Sequence, residues 1–261
     1  MKNKSFRHAM VLAAASLLAG LSLPTPSRAD TVSSGYDLFT TVAAGTFYDA
    51  PGLDLGNLQG VPLNTYNFGA PYGLQNVGST DTIIQRLAPG TTLPGTFNLQ
   101  VDALQLETVA PISLFGGQYA FVTLDPSEVS SGTMSINAGT PGTFTSTLNV
   151  YFDVYVGSSF VAALTTTPVA TGQEETFTSS GTWSSNAPPG ALLIPGVNYE
   201  LDGSDTSEDF WPAAAVVETS PDANHEVDPT VPDATSTLAL VLMPLGLVAL
   251  AAARGKVARR A

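Results

Sequence analysis

FTSTLNVYFDVYV, running from Phe144 to Val156, alternates its side chains with a period of two. Phe144, Ser146, Leu148, Val150, Phe152, Val154 and Val156 share one face, and Thr145, Thr147, Asn149, Tyr151, Asp153 and Tyr155 share the other. Alternation sustained over this length marks a β-strand with one buried face. A second long strand is expected in FNLQVDALQLETV, Phe97 to Val109. Phe97, Leu99, Val101 and Ala103 share a face, then the phase slips and Leu104 and Leu106 become the apolar positions. A one-residue slip of this kind is the sequence signature of a β-bulge.

Working outward, shorter strands are expected at Tyr119–Leu124, Thr133–Asn137, Ser159–Thr165, Glu175–Trp183 and Val197–Leu201. The turns between them carry Gly and Pro: GGQ, DPSEVSSG, AGTPG and NAPPG. No amphipathic helix is evident between Asp30 and Pro232. The pattern predicts an all-β, single-domain fold, a β-sandwich or jelly roll. The stretch from Tyr36 to Gln75 has scattered aromatics and frequent Gly with little alternation, and reads as an irregular lead-in packed on the sandwich. ETSPDANHEVDPTVPD is acidic and punctuated by Pro, and reads as an extended, mobile linker.

The two ends differ from the body. MKNKSFRH is basic, AMVLAAASLLAGLSL is apolar, and PTPSRAD follows with Ser27 and Ala29 at the small positions. This is the order of a secretory signal peptide, with cleavage expected between Ala29 and Asp30. The expected organisation is a signal peptide at 1–29, an acidic secreted β domain at 30–217, an acidic flexible linker at 218–230 and a tail at 231–261.

The net charge is -13, and the cations sit at the ends. Between Asp30 and Val231 the only Lys or Arg is Arg86. Such a polyanion is unsuited to nucleic acid, whose phosphates require Lys and Arg. Adsorption to anionic membrane surfaces and binding of anionic substrates are disfavoured for the same reason. Neutral polysaccharide, divalent cations and basic partners remain open. Cysteine is absent, which removes disulfides, thiol catalysis and thiolate metal sites.

The tail has its parts in a fixed order. Val231-Pro232-Asp233 is followed by Ser236 and Thr237, then by the apolar stretch Leu238–Ala253, then by RGKVARR with Arg254, Arg259 and Arg260. As a helix that apolar stretch would span roughly 24 Å, against about 30 Å of hydrocarbon. Pro244 interrupts it, and the basic tip would stay cytoplasmic by the positive-inside rule. These residues resemble a PEP-CTERM sorting tail, in the variant whose signature begins Val-Pro-Asp. Ala234 and Thr235 depart from the Ser and Gly usual there. The resemblance covers about the last thirty residues. It implies export by a Gram-negative-type bacterium, transient insertion in the inner membrane through a single C-terminal hydrophobic helix, and processing by an exosortase. It further implies residence at the cell surface or in an exopolysaccharide or biofilm matrix. A removed hydrophobic tail has its physical analogue in the GPI signal.

Catalytic signals are sparse. The chain outside the leader has one histidine, His225, which falls in the expected linker and so cannot be held against a nucleophile. No Lys is available for a Ser–Lys pair, and G-x-S-x-G, P-loop and dinucleotide patterns are absent. Carboxylate pairs are abundant and therefore unspecific. A candidate calcium loop is DGSDTSED, where Asp202, Asp205, Glu208 and Asp209 offer hard oxygen ligands without EF-hand spacing. Asp125 and Glu128 form a weaker candidate. Trp183 and Trp211 read as core residues rather than sugar platforms. The resulting expectation is a non-enzymatic surface or matrix protein, with a carbohydrate-binding module or weak glycoside hydrolase as the alternative.

Overall fold

The computed structural model describes residues 31–87, 91–139, 141–199 and 209–231. In chain order the strands are β1 (Thr31–Val32), β2 (Gly35–Thr41), β3 (Phe47–Ala50), β4 (Leu53–Gly60), β5 (Asn64–Asn67), β6 (Leu74–Gly78), β7 (Thr82–Arg86) and β8 (Thr91–Thr92). They continue with β9 (Gly95–Thr108), β10 (Tyr119–Leu124), β11 (Ser131–Asn137), β12 (Gly142–Gly157), β13 (Ala170–Ser184), β14 (Trp211–Pro212), β15 (Val216–Thr219) and β16 (Ala223–Pro229). One short helix, α1 (Phe160–Ala163), joins β12 to β13. Among the described residues no helix is long and apolar enough to cross a membrane.

The all-β expectation holds, but the sandwich does not. The sheet closes on itself as an eight-stranded antiparallel barrel, β12–β13–β15–β16–β2–β7–β9–β11 and back to β12. Toward the other end the ring changes members: β10 continues the place of β11, and β3 and β4 continue the places of β2 and β7. A single closed wall replaces two stacked sheets, because the long strands β9 and β12 each serve two sets of neighbours. Closure also leaves fewer free edges than a sandwich does.

The handover is built by bulges. β7 pairs Ile84 with Val101 and Ile83 with Ala103, so Asp102 is the extra residue on β9. Before it Phe97, Leu99 and Val101 point inward; after it Leu104, Leu106 and Thr108 do, and Ala103 joins a separate apolar cluster. The phase slip legible in the sequence is this bulge, one residue earlier than the apolar pattern alone placed it. On β12 a second irregularity falls between Phe152 and Val154, where the neighbour changes from β11 to β10.

The barrel interior is the main core, built from Phe97, Leu99, Val101, Leu104, Met134, Ile136, Leu148, Phe152 and their neighbours. Trp183 and Phe210 stack at 5.6 Å near one end, and the Trp183 Nε1–H donates to the Asn137 carbonyl at 3.0 Å. Gly142 makes room for that indole, since a Cβ there would lie 2.1 Å from Trp183 Nε1. A second small core sits on the outer face of β2, β7 and β9. It comprises Leu38, Ile83 and Ala103, covered by Phe68 and Val77 around the β5–β6 hairpin and by Ile194 and Val197.

Several expectations are corrected. The lead-in is not irregular: β2, β3 and β4 are barrel wall, and the β5–β6 hairpin packs on the outside. Ser159–Thr165 forms α1 and its flanking turn instead of a strand, with the Ser159 hydroxyl capping the Ala162 N–H. Val197–Tyr199 is a turn carrying an isolated bridge from Pro195 to Tyr199. The stretch 218–230 is not a linker: it contains the end of β15 and all of β16, two staves of the barrel. The leader with its Ala29–Asp30 junction lies outside the described residues, as do Asp202, Asp205 and Glu208. So do Pro232, Asp233, Ser236, Thr237, Arg254, Arg259 and Arg260, together with the apolar stretch read as a C-terminal helix.

Candidate functional site

The interior is not uniformly apolar. β9, β11 and β12 supply an apolar wall, whereas β2, β7, β15 and β16 supply polar inward positions. On β16 the alternation turns Ala223, His225 and Val227 inward; on β15 it turns Val216 and Glu218 inward. The register places Glu218 opposite His225. His225 Nδ1 lies 3.2 Å from Glu218 Oε2, and Nε2 lies 3.2 Å from Thr41 Oγ1 on β2.

Thr41 Oγ1 continues to Asp81 Oδ1 at 2.6 Å, and the Thr41 backbone N–H donates to Asp81 Oδ2 at 2.8 Å. The Thr82 hydroxyl donates to Asp81 Oδ1 at 2.9 Å. Burial pushes the Asp81 carboxyl above the ordinary aspartate range, opposed by the Thr41 and Thr82 donors and, more weakly, by His225. Further along the wall, Arg86 Nη1 pairs with Asp37 Oδ1, its Nε–H donates to the Ser33 carbonyl at 3.1 Å, and its guanidinium lies 5.4 Å from the Phe210 ring centroid. Burial raises the Asp37 carboxyl, and the Arg86 charge and hydrogen bond pull it back.

Two small cavities lie against this polar wall. One, of about 50 Å3, is lined by Glu218, His225 and Asn224 with Tyr48, Phe152 and other apolar groups. The second, of about 30 Å3, is lined by Asp37 and Glu218 with Phe210 and Val216. A water needs roughly 10–15 Å3 of such space, so each cavity has the volume of only a few waters. Glu218–His225–Thr41 has the acid–imidazole–hydroxyl order of a hydrolytic triad. Its hydroxyl, however, is committed to Asp81, and the chamber has no room for a polymeric substrate. The chemistry it supports is the holding of protons. Sequence reasoning missed it because His225 and Glu218 fall in a Pro-flanked acidic stretch; the period-two spacing of Ala223, His225 and Val227 was the available signal.

A second candidate lies on the outside. Asp125, Ser127, Glu128, Tyr151, Asp153, Thr171 and Gly172 line an open cleft of about 600 Å3. Asp125 Oδ1 accepts from the Ser127 N–H and hydroxyl, both at 2.7 Å. Asp153 Oδ1 accepts from the Gly172 N–H at 3.1 Å, and the Tyr151 hydroxyl donates to Glu174 Oε1 at 3.0 Å. The structure brings Asp125 and Glu128, the weaker calcium pair, into this cleft and adds Asp153 and Tyr151. Among the described residues no three Asp, Glu or His groups are placed to hold a metal ion. Of the four carboxylates in the stronger calcium loop, the described one, Asp209, is buried beside Phe210. Trp183 and Trp211 are buried, as core residues should be.

Fold and site together define an all-β protein whose closed antiparallel barrel has a packed interior, a buried polar network in its wall and an acidic outer surface. No protein-family model, characterised protein or solved structure matches the chain.

Proposed function

We propose that this is an exported, non-enzymatic protein of the bacterial surface or extracellular matrix, delivered by an exosortase-type system. The observation that carries the reading is the tail: Val231-Pro232-Asp233, Ser236-Thr237, an apolar segment and the Arg254, Arg259 and Arg260 cluster, in that order. The position of the motif supports it. Thr230 is buried, its N–H donates to the Leu38 carbonyl at 2.9 Å, and its hydroxyl meets that of Thr80 at 3.0 Å. The motif begins at the barrel's edge with Val231, whose side chain is exposed while its carbonyl accepts from the Ser79 hydroxyl at 3.4 Å. In this reading the apolar segment enters the inner membrane transiently, and the acidic barrel is released outside.

The test is intact-mass and C-terminal peptide mapping on fractionated host cells. A C-terminus between Val231 and Thr237 on surface or released material is the expected result. Asp233→Ala, and a double replacement of Arg259 and Arg260 by Ala, should each leave unprocessed precursor in the inner membrane. Normal processing of both variants would refute the sorting reading.

A second reading, a carbohydrate-binding module, is favoured by the outer cleft, where the exposed Ser127 and Glu128 and the half-buried Tyr151 stand over the buried Asp125 and Asp153. Sugar hydroxyls donate to carboxylates, and sugar faces pack on aromatic rings. Retention on neutral polysaccharide resin that falls at least tenfold in Tyr151→Ala would support it. Equal elution of both proteins at the column volume would dismiss it.

A further inference from the structure

Three hydrogen bonds run in series through the barrel wall: Glu218 Oε2 to His225 Nδ1, His225 Nε2 to Thr41 Oγ1, and Thr41 Oγ1 to Asp81 Oδ1. Each link requires one proton between its two heavy atoms. With both carboxylates ionised and the imidazole neutral, the ring brings one N–H and the threonine one O–H. Three links then have two protons, and in every assignment of donors one link sets two lone pairs against each other. Bulk water is not at hand to relieve that link, because Glu218, His225, Thr41 and Asp81 are 5%, 7%, 9% and 1% exposed. Opposed acceptors in a buried site are costly.

We propose that the Glu218–His225–Thr41–Asp81 chain holds a third proton at neutral pH and acts as a pH-sensitive clasp on the barrel. The proton belongs to the chain as a whole. It makes the ring an imidazolium, or it sits on Glu218 with the ring carrying Nε2–H, or it sits on Asp81 with the Thr41 hydroxyl turned toward Nε2. The other ionisable and charged groups nearby do not supply it. Tyr48 of β3 lines the chamber shared by Glu218 and His225, and Glu175 of β13 acts on Tyr48. Asp37 of β2 lines the adjoining chamber but is paired with Arg86 of β7. β9 and β12 line the His225 chamber with apolar groups: Val101, Leu104 and Leu106, and Leu148, Val150 and Phe152.

The position of the clasp gives the proton a mechanical consequence. It joins β15, β16, β2 and the residue before β7. Beside it, β15 meets β13 through one register pair, Thr178 with Thr219, whereas β12 and β13 pair over most of their length. The wall is thus least laddered where Glu218 faces inward. Loss of the third proton breaks a link next to that seam and loosens it.

The test is the pH dependence of denaturant unfolding of the full chain, in the native sequence and in Glu218→Gln. A glutamine amide donates to Nδ1 permanently, so all three links are filled without an added proton. The native folding equilibrium constant is expected to fall up to tenfold per pH unit above about pH 6.5, where unfolded histidine is neutral. The Glu218→Gln protein should lose that slope between pH 7 and 8.5. Equal slopes in the two proteins would overturn the proposal. Should the variant fail to fold, proton release on unfolding of the native chain at pH 8 decides: about one per chain supports the clasp, and none overturns it.

Discussion

Replacing Arg86 with methionine is expected to cost about 3–5 kcal/mol, read as a fall in the denaturant midpoint. Arg86 is the only Lys or Arg between Asp30 and Val231, and it lies on the inside of the barrel. Removing it leaves Asp37 buried without its partner. The direction of the Asp37 shift supplies a second readout. Burial already raises that carboxyl, and Arg86 is what opposes the rise. Without Arg86 the folded-state value moves further above the unfolded one, so protonation favours the folded variant at low pH. The stability deficit should be full at neutral pH and shrink as pH falls toward the ordinary aspartate range near 3.9. Adding Asp37→Asn to the methionine variant should restore most of the loss, because no charge is then stranded. A loss below about 1 kcal/mol that does not change with pH would show that Asp37 is not left as an uncompensated buried charge.

Deleting Gln100 is expected to be far worse than truncating its side chain. The bulge at Asp102 lets β9 face inward with Val101 on one side and Leu104 on the other. Removing one residue ahead of the bulge shifts the alternation by one, which turns Phe97 and Leu99 out of the core if the second half of β9 keeps its register. At about 1.5–3 kcal/mol for each of these two side chains, the loss is roughly 3–6 kcal/mol. That rivals the whole stability of many domains. Gln100→Ala keeps the residue count. It sacrifices the hydrogen bond that the Gln100 side-chain amide donates to Asp102 Oδ1 at 2.7 Å, and should stay within about 1 kcal/mol of the native protein. Circular dichroism and unfolding midpoints of the two variants separate the count from the identity of the residue. Comparable stability of both would mean that β9 tolerates either phase.

These effects mark where the sequence was and was not readable. The long strands were legible because both of their faces are local statements. Phe144 to Val156 alternates regardless of its neighbours, and the slip in β9 shows in the order of its own residues. The Asp37–Arg86 pair was less legible. The scarcity of cations singled out Arg86, but nothing near it in the chain named Asp37 as its partner. His225 and Glu218 were misread outright. Short strands bearing Glu, His and Asp between prolines look like a solvated linker. They are barrel staves because Thr41 and Asp81, distant in sequence, satisfy their polar side chains, and because Tyr48 and Phe47 extend the ladder on one side.

By itself the sequence determined the all-β class, the two long strands, the bulge, the acidic and nearly cation-free body, and the order of motifs in the tail. Each of these depends on residue type and near-neighbour spacing. Only the tertiary structure decided that the sheet closes into a barrel instead of stacking as a sandwich. It alone placed the last strand beside the first wall strands and turned an acidic stretch with a lone histidine into a buried proton-holding chain. Closure and burial depend on which distant edges meet, and a period-two pattern states which face is buried without saying against what.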